Sequence, residues 1–323
     1  MATPAKTAGR VIPRHQTGVA PQRLLVVLMG DYWFGRPEPL PSSALVELLG
    51  LFGVTAGSAR ASIQRLAHRG FLVPSRNGRK TAYAVHAESR DALAEHVRRL
   101  FQAHHPRPWD ETWTIVTYSV PDAESPDRRL LRERLRSLRF GHLNDGVWVR
   151  PGHHSSSVEH LLEELPEHLA PVVTCFEGAT LPVSIPPDRL RGAFDADAMD
   201  QEYRRFTEHW NQRAAELADH WPAGDDALTL RTEVMSDWRS LIRRDPHLPE
   251  DMMPTPAPLQ QAAEACALFY DRLGQSAELA VRRIVERHQP PLEPLVRHHT
   301  FADADALILE AAHDQRLRAG DPA

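Results

Sequence analysis

Between Thr55 and Lys80 the sequence gathers side chains suited to reading a polyanion. Arginine can take the two acceptors of guanine in parallel or grip a phosphate, and glutamine can pair with adenine. Arg60 and Arg65, with Gln64 beside Arg65, supply that chemistry. Thr55 and Ser58 add hydroxyls, while Gly57 and Ala61 are small enough to let a helix approach base edges. A second group, Arg76, Asn77, Arg79 and Lys80, places three cations around Asn77-Gly78. Cations on a hairpin tip suit the nucleic-acid backbone or the minor groove. Any one of these arginines alone reads as a solvated surface charge. The set together implies binding of double-stranded DNA, with base and phosphate roles left open for each arginine.

The surrounding pattern supplies elements to hold them. Gln22–Phe34 repeats Leu24, Leu25, Leu28 and Met29 on one helical face. Gly35–Pro41 breaks the pattern. Ser42 or Ser43 can cap a helix over Ala44–Phe52, with Leu45, Leu48 and Leu49 inward. Gly53 ends it, and Thr55 caps a second helix over Ala56–His68 that Gly70 stops. At 100° per residue, Ala59, Ile63 and Leu66 form its back, with Gly57, Ser58, Ala61, Gln64, Arg65 and His68 opposite and Arg60 on the flank. Phe71–Ser75 and Lys80–His86 then read as strands around Asn77-Gly78, a strong hairpin signal. Helix, helix and basic hairpin make a winged helix-turn-helix. A helix over Ser89–His105 leads to a linker, His105–Pro108.

A second unit runs from Trp113: strand Trp113–Val120, helix Pro126–Arg139, a hairpin over His142–Val149, helix Ser157–Leu165 and strand Pro171–Phe176. The order β-α-β-β-α-β is the ferredoxin-like pattern. Beyond a Pro182–Pro187 break, helices are predicted at Ala198–His220, Asp225–Arg244 and Pro258–Gln289, then one more helix and a loose end. The expected fold class is α+β. Its parts are a disordered basic arm (1–20), the winged helix (21–108), the ferredoxin-like domain (109–182), a helical domain (183–289) and a C-terminal helix and tail (290–323).

Net charge is -5, but unevenly spread. Residues 1–110 carry 15 Lys and Arg against 7 Asp and Glu; the rest carries 23 against 36. The basic end is therefore the one that meets nucleic acid. Two cysteines imply no disulfide framework, and with no signal peptide and no membrane-length apolar run the expected place is the cytoplasm. The 18 histidines show no His-Glu-x-x-His spacing, and no Cys-x-x-Cys, P-loop, G-x-G-x-x-G or G-x-S-x-G appears. No metal, no cofactor and no catalytic residue is expected. A ligand pocket among the C-terminal helices can draw on Tyr203, Trp210, Trp238 and Tyr270 for aromatic surface. Arg239, Arg243 and Arg244 offer charge for a phosphate or carboxylate. Singly, such aromatics read as core and such arginines as surface.

Leu24–Trp33 (LLVVLMGDYW), Gly53–Leu72 (GVTAGSARASIQRLAHRGFL) and Arg76–Tyr83 (RNGRKTAY) resemble the PaaX family of bacterial repressors of phenylacetate catabolism. Trp113–Pro121 (WTIVTYSVP), Arg128–Phe140 (RRLLRERLRSLRF) and Gly141–Pro151 (GHLNDGVWVRP) look like its Cas2-like ferredoxin domain. Asp237–Pro254 (DWRSLIRRDPHLPEDMMP) is similar to its C-terminal helical domain. The resemblance runs from about Pro21 to Ile284. It implies a homodimeric repressor released from a palindromic operator by a small effector, such as an aryl-acyl coenzyme A thioester. Arg60 and Arg65 match the family's Arg-x4-Arg in the recognition helix. The family's Trp-Pro-Gly step is replaced by Thr255-Pro256-Ala257-Pro258, so its effector does not transfer automatically. Nuclease relatives of the Cas2-like domain place an Asp at the end of the first strand; here Tyr118-Ser119-Val120 ends it and Asp122 lies beyond Pro121. A scaffold or dimerisation role is expected there instead. Two alternatives stay open: a metal-dependent nucleic-acid enzyme, and a protein-interaction module without DNA binding.

Overall fold

The computed structural model describes residues 21–77, 80–103, 109–120, 125–181, 184–249, 252 and 257–303. The expected arm, the linker 105–108, Gly78, Arg79, Asp122 and the end of the tail lie outside them. The chain divides into two compact units. Unit 1 draws on Met1–Ala103, His209–Arg239 and Ala263–Ala323; unit 2 on His104–Glu208 and Ser240–Ala262.

Unit 1 begins with α1 (Pro21–Tyr32), β1 (Leu40–Pro41), α2 (Ser42–Gly50) and α3 (Ala56–His68). The hairpin β2 (Leu72–Asn77) and β3 (Lys80–Val85) follows, then α4 (Ala87–Phe101). Two readings change here. Leu40–Pro41 is not only a breaker: it adds a third strand, antiparallel to β3, with Leu40 opposite Tyr83. And α1 is not one-faced, since Leu24 through Tyr32 are all buried. A helix apolar all round needs neighbours all round. Part of that cover comes from residues distant in sequence: Arg231 Nη1 donates to the Tyr32 hydroxyl at 2.9 Å, while Trp238 Nε1 ties its own helix to α4 by donating to Leu100 O at 3.0 Å. The helix expected over Pro258–Gln289 is two, α10 (Pro258–Arg272) and α11 (Gly274–His288). They meet at Gly274, where a β-carbon would stand 2.4 Å from the His298 ring. Only glycine admits that approach. After α11 the chain runs into a 3₁₀ helix, Pro290–Leu295, whose prolines lack the amide donors an α-helix needs; the rest of the segment expected to hold one more helix, from residue 304 on, lies outside the described residues.

His299 is held in unit 1 beside Arg231, whose Nη2 donates to its carbonyl. Burial, reinforced by Arg231, pushes its imidazole down to about 4 from 6.5. The unfolded chain therefore binds the extra proton first. Stability from neutral His299 is complete above pH 6.5 and is lost as pH falls toward 4. The expected loss is about 2 kcal/mol. Urea titrations at pH 7 and pH 5 check it: His299→Gln should flatten that pH dependence, and an unchanged slope would refute the assignment.

Unit 2 holds β4 (Trp113–Tyr118), α5 (Pro126–Ser137), β5 (Gly141–Asn144), β6 (Val147–Pro151), α6 (Ser155–Glu164) and β7 (Val173–Ala179). The antiparallel sheet has the order β5-β6-β4-β7, the ferredoxin-like arrangement the alternating strands imply. Val116 and Tyr118 on β4 point to a core with Leu131 and Leu135 of α5 and Val158 and Leu161 of α6. Trp113 and Ile115 point the other way. That second face is covered by Leu190 of α7 (Pro187–Ala193), a helix the sequence reading did not contain, and by Phe194. Gly141 permits it, for a β-carbon there would stand 2.8 Å from the Phe194 ring. The remaining helices are α8 (Ala196–Glu216) and α9 (Gly224–Arg244). No described helix is long and apolar enough to cross a membrane.

Candidate nucleic-acid interface

The α2–α3 pair is set by its punctuation. The Thr55 hydroxyl accepts from Ser58 N at 3.3 Å, and Gly53 and Gly70 take positive φ at the two helix ends. Neither Ser42 nor Ser43 caps α2; Pro41 holds the N-cap position without a side-chain bond, and the Ser43 hydroxyl instead meets His288 Nδ1 at 2.8 Å. Ala59, Ser62, Ile63 and Leu66 turn inward from α3. Thr55, Gly57, Ser58, Arg60, Gln64, Arg65 and His68 are exposed, and Ala61 is half-buried. Apart from Ala61, the outward set expected from helical spacing is the outward set observed. Ser62, which the sequence reading left unassigned, accepts from Arg65 Nη2 at 2.9 Å and orients that guanidinium. Arg60 has no side-chain partner among the described residues.

The hairpin continues the same charge. Asn77 and Lys80 are opposite each other in the register, and Arg76 and Lys80 are exposed. Tyr83 is buried, so it supports the hairpin rather than extending its surface. From Leu48 to Ala87 the sequence contains no Asp or Glu. The exposed front of α3 and the hairpin thus carry basic residues with no carboxylate of their own segment to neutralise them. Glu47, just outside this stretch, is engaged by Arg287 and by His288 Nε2 at 2.6 Å. Burial raises its affinity for a proton, but the bonds from His288 and Arg287 prevail and hold the carboxyl below its ordinary value. These contacts clamp α2 to α11, so C-terminal residues help to position the helix pair.

The residues considered for a ligand pocket are placed mainly in cores. Trp210, Trp238, Arg239 and Tyr270 belong to unit 1, and Tyr203 and Arg243 to unit 2. Tyr203 is fully buried with its hydroxyl on Asp245. Arg239 is buried near Asp31, its pKa pulled down to about 10 chiefly by burial. Arg243 is half-buried, and exposed Arg244 pairs with Glu202 at 3.1 Å. Trp210 borders an open groove of about 270 Å³ shared with His209, Arg213, Glu216 and Glu233. Among the described residues, no three His, Cys, Asp or Glu side chains are grouped to hold a metal ion.

Three family models match this chain in order. That of a PaaX-like protein covers residues 20–88, the PaaX protein central Cas2-like domain 106–189, and the PaaX-like protein C-terminal domain 194–283. The chain is 24% identical over 263 residues to the transcriptional repressor PaaX of Escherichia coli (strain K12), spanning 79% of this chain and 80% of that protein. Its fold is similar to that of the uncharacterized protein Rv0674 from Mycobacterium tuberculosis, with a TM-score of 0.50 and 19% identity over 81% of this chain and 98% of the other. With successive segments matched across most of its length, the chain belongs to the PaaX family.

Proposed function

We propose that this protein is a sequence-specific DNA-binding transcriptional regulator, a repressor that leaves a palindromic operator when a small effector binds. The carrying observation is the exposed, carboxylate-free front of α3 together with the basic hairpin. In this reading residues 21–108 form a winged helix whose α3 enters the major groove. The ferredoxin-like part scaffolds or dimerises, and the helical part senses an effector such as an aryl-acyl coenzyme A thioester. The clamp of α2 on α11 suits that division, because an effector shifts the equilibrium only by binding one arrangement better than another. The E. coli relative's repressor role supports the same direction.

Gel-shift titrations on DNA upstream of the protein's own gene test this. Specific, salt-sensitive binding released by an acyl thioester is expected. Absence of any specific complex at moderate salt would refute the regulator. Gly57 offers a sharper check. A β-carbon there meets nothing within 4 Å, and the backbone is ordinary helix. Gly57→Leu should therefore leave thermal stability unchanged or slightly raised, by up to about 1 kcal/mol. The same side chain would project into the groove and lower operator affinity about tenfold or more, an effect of about 1.4 kcal/mol. Unimpaired binding would show that this face does not meet DNA.

A further inference from the structure

Arg128, Arg132 and Arg136 repeat at four-residue intervals along α5 and share one side of it. Arg128 lies 5.9 Å from the Tyr118 ring centroid and Arg136 5.8 Å from that of Trp148. Trp148 and His142 are register partners on β6 and β5, with ring centroids 4.8 Å apart. The countercharge is Asp145, on the β5–β6 turn, which pairs with Arg128 and stands 3.6 Å from Arg132. Two of these cations thus share one carboxylate, whose side chain is 69% exposed. Burial, together with Arg132 and Arg136, pushes the His142 imidazole below its ordinary value, so the local field stays positive with Asp145 in place.

The cluster is also short of acceptors. Arg128 Nε, Arg132 Nε, His142 Nε2 and Trp148 Nε1 are buried and have no hydrogen-bond partner among the described residues. Trp148 and Arg128 are only 0% and 6% exposed. Interiors seldom leave polar groups unpaired, and every one of these can donate. Excess positive charge with spare donors is complementary to a compact dianion, and arginine forks suit the several terminal oxygens of a phosphate.

We propose that this α5–hairpin face is a binding site for a phosphate monoester, whose terminal phosphate takes the place of the Asp145 carboxylate between Arg128 and Arg132. A carboxylate ligand would only replace one negative charge by another; a phosphate dianion adds the missing one. The site lies in the Cas2-like domain, away in sequence from the α3 front, and does not depend on DNA binding.

Thermal unfolding of the full-length protein in phosphate- and sulfate-free buffer tests it. Sodium phosphate and adenosine monophosphate should each raise Tm by about 4 °C at saturation, relative to chloride at matched ionic strength. Dimethyl phosphate, a diester monoanion like the nucleic-acid backbone, should raise it less than half as much. Arg132→Leu/Arg136→Leu should abolish the rise. Asp145→Asn keeps all three arginines, so it serves even if the double variant does not fold. Removing the competing carboxylate should lower the half-saturating phosphate at least fivefold. A rise matched by chloride, an undiminished rise in the double variant, or unchanged half-saturation in Asp145→Asn would overturn the site. Dimethyl phosphate equal to phosphate would overturn the monoester assignment.

Discussion

Arg60→Ala/Arg65→Ala is expected to weaken operator binding by about two to three orders of magnitude while leaving the thermal midpoint in place. One well-placed arginine–guanine contact contributes about 1–3 kcal/mol, and about 1.4 kcal/mol is tenfold in affinity. Both side chains are exposed on α3, so their removal leaves the core untouched. Their roles need not be equal. Arg65 is already oriented by its 2.9 Å bond to Ser62, whereas Arg60 has no partner among the described residues to give up. Ser62→Ala should therefore weaken binding less than Arg65→Ala, by releasing the guanidinium rather than deleting it. Single variants read by fluorescence anisotropy over several salt concentrations separate the two uses of arginine. Loss of a base contact relaxes specificity at one position; loss of a phosphate contact reduces the salt slope by about one. Wild-type affinity in the double variant would rule out α3 as the reading helix.

The parts of this architecture that could be read from sequence are those encoded locally. Ala59, Ile63 and Leu66 recur at helical spacing between Thr55 and Gly70, so both the helix and its outward face follow from a few residues. The Asn77-Gly78 and Asp145-Gly146 turns announce their hairpins in the same way. What stayed hidden depends on partners far along the chain. Leu40–Pro41 is a strand only because β3 lies beside it. The all-round burial of α1 depends on distant partners such as Arg231, and the break before Gly274 reflects His298. Arginine is seldom buried, so nothing local distinguishes Arg231 from a surface residue. The α5 arginines did leave a signal, their four-residue spacing, but that spacing alone equally describes a solvated helix face.

Arg231→Met should cost about 3–5 kcal/mol, the penalty for breaking a buried charge pair by deleting one partner. Arg231 is 0% exposed. Its Nε donates to Tyr270 O at 2.8 Å and its Nη1 to the Tyr32 hydroxyl at 2.9 Å, while the guanidinium lies 3.5 Å from the Tyr270 ring centroid. Asp31 shares this interior. Burial raises its pKa, Arg231 and then Arg239 act against that, and one of its oxygens has no hydrogen-bond partner among the described residues. Methionine fills much of the volume but leaves Asp31 with a weaker counterion and the Tyr32 hydroxyl without its donor. Asp31→Asn in the same chain removes the stranded charge, so the double variant should be more stable than the sum of the two losses implies, by about 1–3 kcal/mol. Strict additivity in urea unfolding would show that the two groups are not energetically paired. The consequence for DNA binding follows from position. Tyr32 ends α1, and α1 packs on α3, so loosening Arg231 frees the support of the reading helix before it alters any residue on the helix's outer face. Hydrogen exchange in Arg231→Met should accelerate first in α1. Operator affinity should fall with α1 protection while the exposed front of α3 keeps its composition, which separates a loss of support from a loss of contact.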